Sequence, residues 1–359
     1  MKTMRDYSLV GASTKSAEET GLVSAEWYMS DVPRKTMKDL MRRTDGPAIR
    51  DTIIWFGLLL ATGVGAYLLW PSWWCLPLFI TYGVLYGSVS DSRWHECSHR
   101  TAFKTRWMND VIYEIACFMI IRNPTVWRWS HTRHHTDTYI VGQDPEIVVM
   151  RPPDLFRVIL SFFGLEGALG NVKDMFRYSV GIINDEEKSF IPETERYKVV
   201  RTARIWVLIY ASVIGLAIWS LSILPLMFVG LPRFYGGWHV PLTGLLQHGG
   251  LADNVLDHRL NSRTVYMNPI SRWIYWNMNY HIEHHMFPMV PYHRLPELHE
   301  LLKNDMPAPD TSMLAAYRKV IPVWLRQLKY EDHFLKRELP PTAKPYKEFK
   351  EELPAAANA

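Results

Sequence analysis

The sequence is short of cysteine: Cys75, Cys97 and Cys117 are the three in 359 residues. They form no CxxC pair, and an odd number is no disulfide framework. The working part is therefore expected in a reducing compartment. The chain also lacks an HPGG-like haem segment, a GxGxxG loop after a strand pattern and a CxxC iron–sulfur pattern, so it signals no electron carrier of its own. Charged residues reach only 21%, and the formal net charge is +4. That charge is too small and too scattered for a nucleic-acid partner. No apolar core of signal-peptide type lies in the first 50 residues, so targeting is expected to come from the first membrane span. No internal repeat appears.

Apolar residues are plentiful, at 48%, with 13% aromatic. This mixture suits a few membrane spans carrying a large water-facing part. Residues 1–30 read as a polar, loosely ordered extension, and 31–50 as a basic helix at the membrane surface. Together, 1–50 form an N-terminal extension, 51–300 a membrane domain, and 301–359 a tail whose Pro-, Lys- and Glu-rich end is expected to be disordered. Residues 52–70 and 205–224 hold no charge and are long enough to cross a bilayer. Residues 77–90 return after a short turn marked by Trp73 and Trp74, an interface belt. Residues 225–246 read as an irregular fourth span, broken by Pro225, Pro232 and Pro241 and carrying Arg233 and His239. The patches 111–121 and 158–170 are too short to span. The expectation is an all-α membrane protein, four transmembrane helices in two hairpins under a cytoplasmic helical cap. Lys and Arg flank the first and fourth spans and are absent from the turns, which puts both termini and residues 91–204 in the cytoplasm.

Eight of the 14 histidines stand in three clusters: His95 and His99 in HECSH, His131, His134 and His135 in HTRHH, and His281, His284 and His285 in HIEHH. On a helix, positions i, i+3 and i+4 share one face, so HxxHH aims three imidazoles one way. Imidazole suits iron, zinc, copper and nickel. Eight are more than one tetrahedral zinc uses, so two metal ions sharing them is the economical reading. His95 follows the second span and His248 the fourth, which places both at one membrane face beside the HTRHH segment. The acids Asp144, Asp253, Asp257 and Glu283 are candidates to orient these imidazoles, and Asn277 and Asn279 to cap or hydrogen-bond before the third cluster.

In this order, around two hairpins, HECSH, HTRHH and HIEHH resemble the membrane fatty acid desaturase/hydroxylase superfamily, over roughly residues 50–300. The resemblance implies two iron ions on the cluster histidines, O2 as co-substrate, and one further histidine. His248 in LLQHGG is the best match for it and His258 in DHR a second candidate. Where some animal members of the family have a water-bridging Asn, this sequence has Gly244, so none is carried over. The GQDPE segment and long tail are similar to a bacterial branch that includes the dihydrorhizobitoxine desaturase type. The resemblance further implies a bacterial inner-membrane location and a ferredoxin-like electron donor with its reductase. The expected activity is desaturation, or less readily hydroxylation, of an acyl chain or acyl lipid, with a small polar amino-acid-like substrate as the alternative.

Two rivals of other classes remain. His95-Glu96-His99 is also HExxH, the zinc site of an intramembrane protease with Glu96 as base, but it leaves both HxxHH clusters unexplained. A metal-transport protein would want ionisable residues along its spans, and the first three have almost none. Arg233 is the exception in the fourth: a substrate contact, or a side chain snorkelling to the far interface.

Overall fold

A computed structural model describes residues 5–348, and among these every regular element is a helix. The short helices α1 (Ala12–Glu19) and α2 (Arg34–Leu40) lead into α3 (Gly46–Leu68). A tight turn returns the chain through α4 (Cys75–Gly83), a π-helical turn (Val84–Val89) and α5 (Ser90–Ser98), which run on without a break. Next come α6 (Arg106–Ile120), α7 (Pro124–Thr136), α8 (Leu155–Phe162), α9 (Leu165–Ser179), α10 (Asp185–Phe190) and the long α11 (Glu193–Trp219). Three short helices follow, α12 (Leu224–Phe228), α13 (Pro232–Gly236) and α14 (His239–His248). The chain ends in α15 (His258–Asn261), α16 (Pro269–Ile274), α17 (His281–Met286), α18 (Leu295–Leu302) and α19 (Met313–Gln327).

Two helices, α3 and α11, are long and apolar enough to cross a membrane. A third qualifies if α8 and α9, bent by 86° at Gly164, count as one span. Length and hydropathy thus single out two or three of the four expected spans. The expected fourth is three short helices, because Pro225 and Pro232 open new helices and Gly236 and Gly237 interrupt the run. Gly236 serves another purpose too. Its backbone meets that of Gly83 so closely that a Cβ there would lie 1.8 Å from the Gly83 carbonyl carbon. Ser88 Oγ donates to the Gly236 carbonyl at 2.6 Å across this crossing. The π-helical turn is thus locked onto α13 just before the first histidine cluster.

The patch at 111–121 lies on α6, which buries Ile112, Tyr113, Ala116, Cys117, Met119 and Ile120 in the main core. The N-terminal stretch differs from the loose extension expected. Ala17 and Leu22 pack with Ile140 and Leu256, and Trp27 stacks on His258 with ring centroids 4.4 Å apart. The tail also returns to the body: Arg259 donates to the Lys344 carbonyl and the Lys347 amide to Asp257. Sparse apolar anchors and buried ion pairs fix both segments, which average composition does not reveal. The last residues of the expected disordered end lie outside the described residues.

Candidate metal centre

Three helices bring the histidine clusters together. α5 supplies His95 and is followed at once by His99; α7 supplies His131, His134 and His135; α17 supplies His281, His284 and His285. His248 closes α14. Asn123 starts α7 by accepting from the amides of Thr125 and Val126, with Pro124 preset for the first turn. The nine side chains form two groups. One is His95, His99, His131, His135 and His284; the other is His134, His248, His281 and His285. Within each group the ligand-capable atoms lie within 4.8 Å of one another, and each group could hold a metal ion.

Hydrogen bonding decides which ring nitrogens face inward. His134 Nδ1 donates to Asp144 Oδ2 at 2.9 Å, and His131 Nδ1 to Glu146 Oε2 at 3.1 Å. His248 Nδ1 donates to the Asn261 carbonyl at 2.8 Å. Thr138 Oγ1 gives its proton to the His134 carbonyl, so it accepts from His285 Nδ1 at 3.1 Å. With these protons on Nδ1, the Nε2 lone pairs of four imidazoles point into the groups. There, Nε2 atoms stand 3.0 Å apart between His281 and His248, 3.0 Å between His285 and His281, and 3.0 Å between His99 and His131. The four-histidine group thus offers three fixed lone pairs and at most one proton, on His281. Hydrogen bonds alone cannot hold it together, whereas a cation would. Neighbouring nitrogens at right angles around an ion, about 2.1 Å from it, stand about 3.0 Å apart. The donor set therefore fits two ions, and five nitrogens in one group exceed a tetrahedral zinc site.

Burial, followed by mutual repulsion, drives His95, His99, His135, His281, His284 and His285 well below the usual imidazole pKa. Burial does the same for His248 beside His134. They are held neutral, the ligand form. His134 moves the other way: burial lowers it, but Asp144 more than compensates. Glu146 would rise on burial alone, yet His131 and Ser130 bring it down to about 2.

The other predicted site residues fall elsewhere. His258 is buried under Trp27, with its ring 5.2 Å from His285, and belongs to neither group. Asp257 accepts from the Arg259 amide at the start of α15 and pairs with the Arg259 guanidinium at 2.8 Å. Asp253 pairs with Arg5 and Arg151. Glu283 accepts from Thr264 and from His299, so it orients no cluster histidine. Asn277 donates to the Tyr292 carbonyl and Asn279 to the Val265 carbonyl; neither caps α17. Arg233 is buried rather than snorkelling outward. Sequence reasoning missed Glu146 and Thr138. The signal for Glu146 was its alternation with Asp144 in GQDPE, in the segment after HTRHH. Glu96 turns away from the histidines: its Oε1 accepts from Thr101 Oγ1 at 2.7 Å and the Tyr292 amide at 3.1 Å. Burial pushes its carboxyl up to about 7.

Fold and site together define an all-helical protein with apolar helices of membrane-spanning length and a buried two-part histidine centre. The sequence pattern of the fatty acid desaturase family matches residues 71–317, and the chain belongs to that family. Among curated proteins, it is 22% identical over 264 residues to the "Delta(5) fatty acid desaturase fat-4" of Caenorhabditis elegans, covering 64% of this chain and 57% of the relative. It is 24% identical over 274 residues to the chloroplastic "Omega-3 fatty acid desaturase" of Glycine max, covering 71% and 59%. A shorter match, 33% over 96 residues, covers 26% of this chain and 25% of the "sn-1 acyl-lipid omega-3 desaturase (ferredoxin)" of a Nostoc species. The chain thus spans under 60% of the length of these relatives.

Proposed function

We propose that this protein is a membrane-bound, O2-dependent di-iron oxidoreductase that desaturates an unactivated C–H position of an acyl chain or acyl lipid. One observation carries the reading: nine imidazoles in two groups, seven buried and two (His99 and His135) half-buried, with fixed Nε2 lone pairs turned on one another. His95, His99, His131, His135 and His284 would hold one iron, and His134, His248, His281 and His285 the other. Bound there, the two irons would supply the O2-derived oxidizing power. The balanced reaction takes a saturated substrate, O2, two electrons and two protons to an alkene and two waters.

This chain's residues do the rest. Asp144, Glu146, Thr138 and the Asn261 carbonyl hold the imidazole protons on Nδ1 and fix the ring planes. The Trp94 ring, with its centroid 5.7 Å from that of His95 and 5.4 Å from that of His131, packs against the five-histidine group and helps keep water out. The electrons would come from a ferredoxin-like carrier with its reductase, which the name of the Nostoc relative supports. In the bilayer, α3 with the α4–α5 run, and α11 with the broken α12–α14 run, would make two hairpins. The centre and both termini would then face the cytoplasm of a bacterial inner membrane. The protease rival is disfavoured because Glu96 faces Thr101 and the Tyr292 amide rather than the histidines.

The test is expression of the wild type, His131→Ala, His135→Ala and His284→Ala in a desaturase-free host, with lipids and small metabolites compared by mass spectrometry. The wild type should carry two irons and give a product lighter by two mass units; each variant should lose product and iron. Full product formation by any of them, or zinc with Glu96-dependent proteolysis, overturns the proposal.

A further inference from the structure

A second buried charge cluster lies beside the histidine centre. Five arginines are buried among the described residues: Arg93, Arg151, Arg233, Arg259 and Arg263. Four have evident compensation. Arg93 stacks against the rings of Trp55, Trp273 and Trp276 and donates to the carbonyls of Trp273 and Ile274. Arg151 pairs with Asp253, Arg259 with Asp257, and Arg263 with Asp310. Arg233, 4% exposed, has none of these. Its Nε and Nη1 have no hydrogen-bond partner, no described carboxylate pairs with it, and no aromatic ring faces it.

The groups that act on Arg233 through space are Arg122 and Asp91. Asp91 is already engaged: it accepts from Arg122 Nη1 at 3.1 Å and from Trp94 Nε1 at 3.0 Å. Arg122 in turn keeps a buried Nε without a partner. Arg122 thus takes that carboxylate, and three nitrogens stay open: Nε and Nη1 of Arg233 and Nε of Arg122. A buried charge without a counter-charge is strongly disfavoured, so the cluster is one anion short. A Cβ at Gly167 of α9 would stand 3.7 Å from Arg233 Nη2, an ordinary contact, whereas at Gly237 one would fall 2.5 Å from Nη1, so the Gly167 side is the more open face of the guanidinium. The planar fork of Arg suits a carboxylate, which two parallel N–H bonds can hold. The position is also informative. Arg122 lies 5.2 Å from the centroid of the Trp94 ring, whose other neighbours are His95 and His131. One indole therefore separates the cationic pair from the histidine centre.

We propose that Arg233, together with Arg122, is a binding site for the free carboxylate of a short organic acid, and that this acid is the substrate or a close analogue of it. Calling the acid a substrate rests on the oxidoreductase reading above; the carboxylate site itself does not. A short free acid differs from an acyl lipid, whose carboxyl group is esterified.

The test uses the purified full-length chain in detergent, with hexanoate, methyl hexanoate and inorganic phosphate as probes. Binding is read by thermal shift and by titration calorimetry, and iron per chain is measured separately. Hexanoate should bind the wild type at least tenfold more tightly than its methyl ester, and phosphate should not bind. Arg233→Gln should weaken hexanoate at least tenfold, and Arg233→Lys should restore part of the loss. Equal binding of acid and ester, tighter binding of phosphate, or undiminished hexanoate binding by a folded Arg233→Gln chain overturns the carboxylate site. The acid–ester comparison needs no variant, so a misfolded one leaves it decisive. Hexanoate binding by a chain that takes up no iron would keep this site and sink the oxidoreductase reading; an iron-loaded chain indifferent to hexanoate would do the reverse.

Discussion

Asp144 and Glu146 stand two residues apart, yet they serve different groups of histidines, which gives a sharp test of the two-site reading. The Asp144 side chain is fully buried. It takes the His134 Nδ1 proton at 2.9 Å, the Tyr139 amide at 2.7 Å and the Glu146 amide at 2.8 Å. Asp144→Asn keeps the shape but removes the charge that makes His134 a stronger donor. It also turns an NH2 toward one of those N–H groups. Loss of such an orienting partner costs about 10–100-fold in metal affinity, or about 1.4–2.7 kcal/mol. That loss should fall on the four-histidine group alone. Glu146→Gln should produce a loss of the same size on the five-histidine group, through His131. The assay is dialysis of the iron-loaded protein against graded chelator, with iron per chain read at each step. Wild type should release its iron late. Each variant should release one ion per chain early and keep the second near the wild-type chelator concentration. The double variant should release both early. Simultaneous loss of both ions from either single variant would refute the assignment, and so would no shift in either. Asp257→Asn is the control, because Asp257 pairs with Arg259 and reaches no cluster histidine. It should leave the chelator profile unchanged.

Gly236→Ala should destabilise the protein by at least about 3 kcal/mol, because the new Cβ would meet Gly83 backbone that cannot swing aside. A thermal midpoint in detergent within a degree of wild type would refute that crossing. Glu96→Gln carries a pH signature. The folded carboxyl sits near 7 against an ordinary 4.5, so the folded state keeps a proton that the unfolded state releases. Its contribution to stability is present in full below about 4.5 and is lost as pH rises to about 7, by up to about 3 kcal/mol. Chemical unfolding of the metal-free protein should show the stability difference, wild type minus Glu96→Gln, falling across that window. A flat difference would show that Glu96 ionises normally.

Much of the centre was legible because its signal is local. HxxHH on a helix fixes where three imidazoles point, and only the pairing of helices was left open. The structure supplied that pairing, and it splits both HxxHH clusters between the two groups: His131 and His135 of α7 and His284 of α17 face the five-histidine group, while His134 of α7 and His281 and His285 of α17 face the other. An i, i+3, i+4 pattern spreads over part of a turn, so a helix lying between two sites can serve both. His248 was legible only through its place at the end of an apolar stretch together with the family resemblance. The orienting acids were harder to read. Of the four candidates only Asp144 reaches a cluster histidine, because a buried acid near a site is as readily consumed by a neighbouring arginine, as Asp253 and Asp257 are. The spans were legible where a run was both long and uncharged, as in α3 and α11. They were not where prolines and glycines broke the run, because there the fold depends on backbone contact between Gly83 and Gly236, which hydropathy does not record. What composition alone would have discarded, the short acidic GQDPE loop, proves to bind the design together. Asp144 and Glu146 flank a proline, and each accepts from a different imidazole of one helix. One negative charge therefore reaches each group of otherwise neutral ligands. Two cations held only by neutral imidazoles would repel across a short, buried gap, and a carboxylate behind each group eases that repulsion without occupying a ligand position. The same loop places the Thr138 hydroxyl, through the turn that precedes it, against His285. Sequence distance from a ligand is thus a poor guide to its partner; the turn that ends the ligand helix is a better place to look.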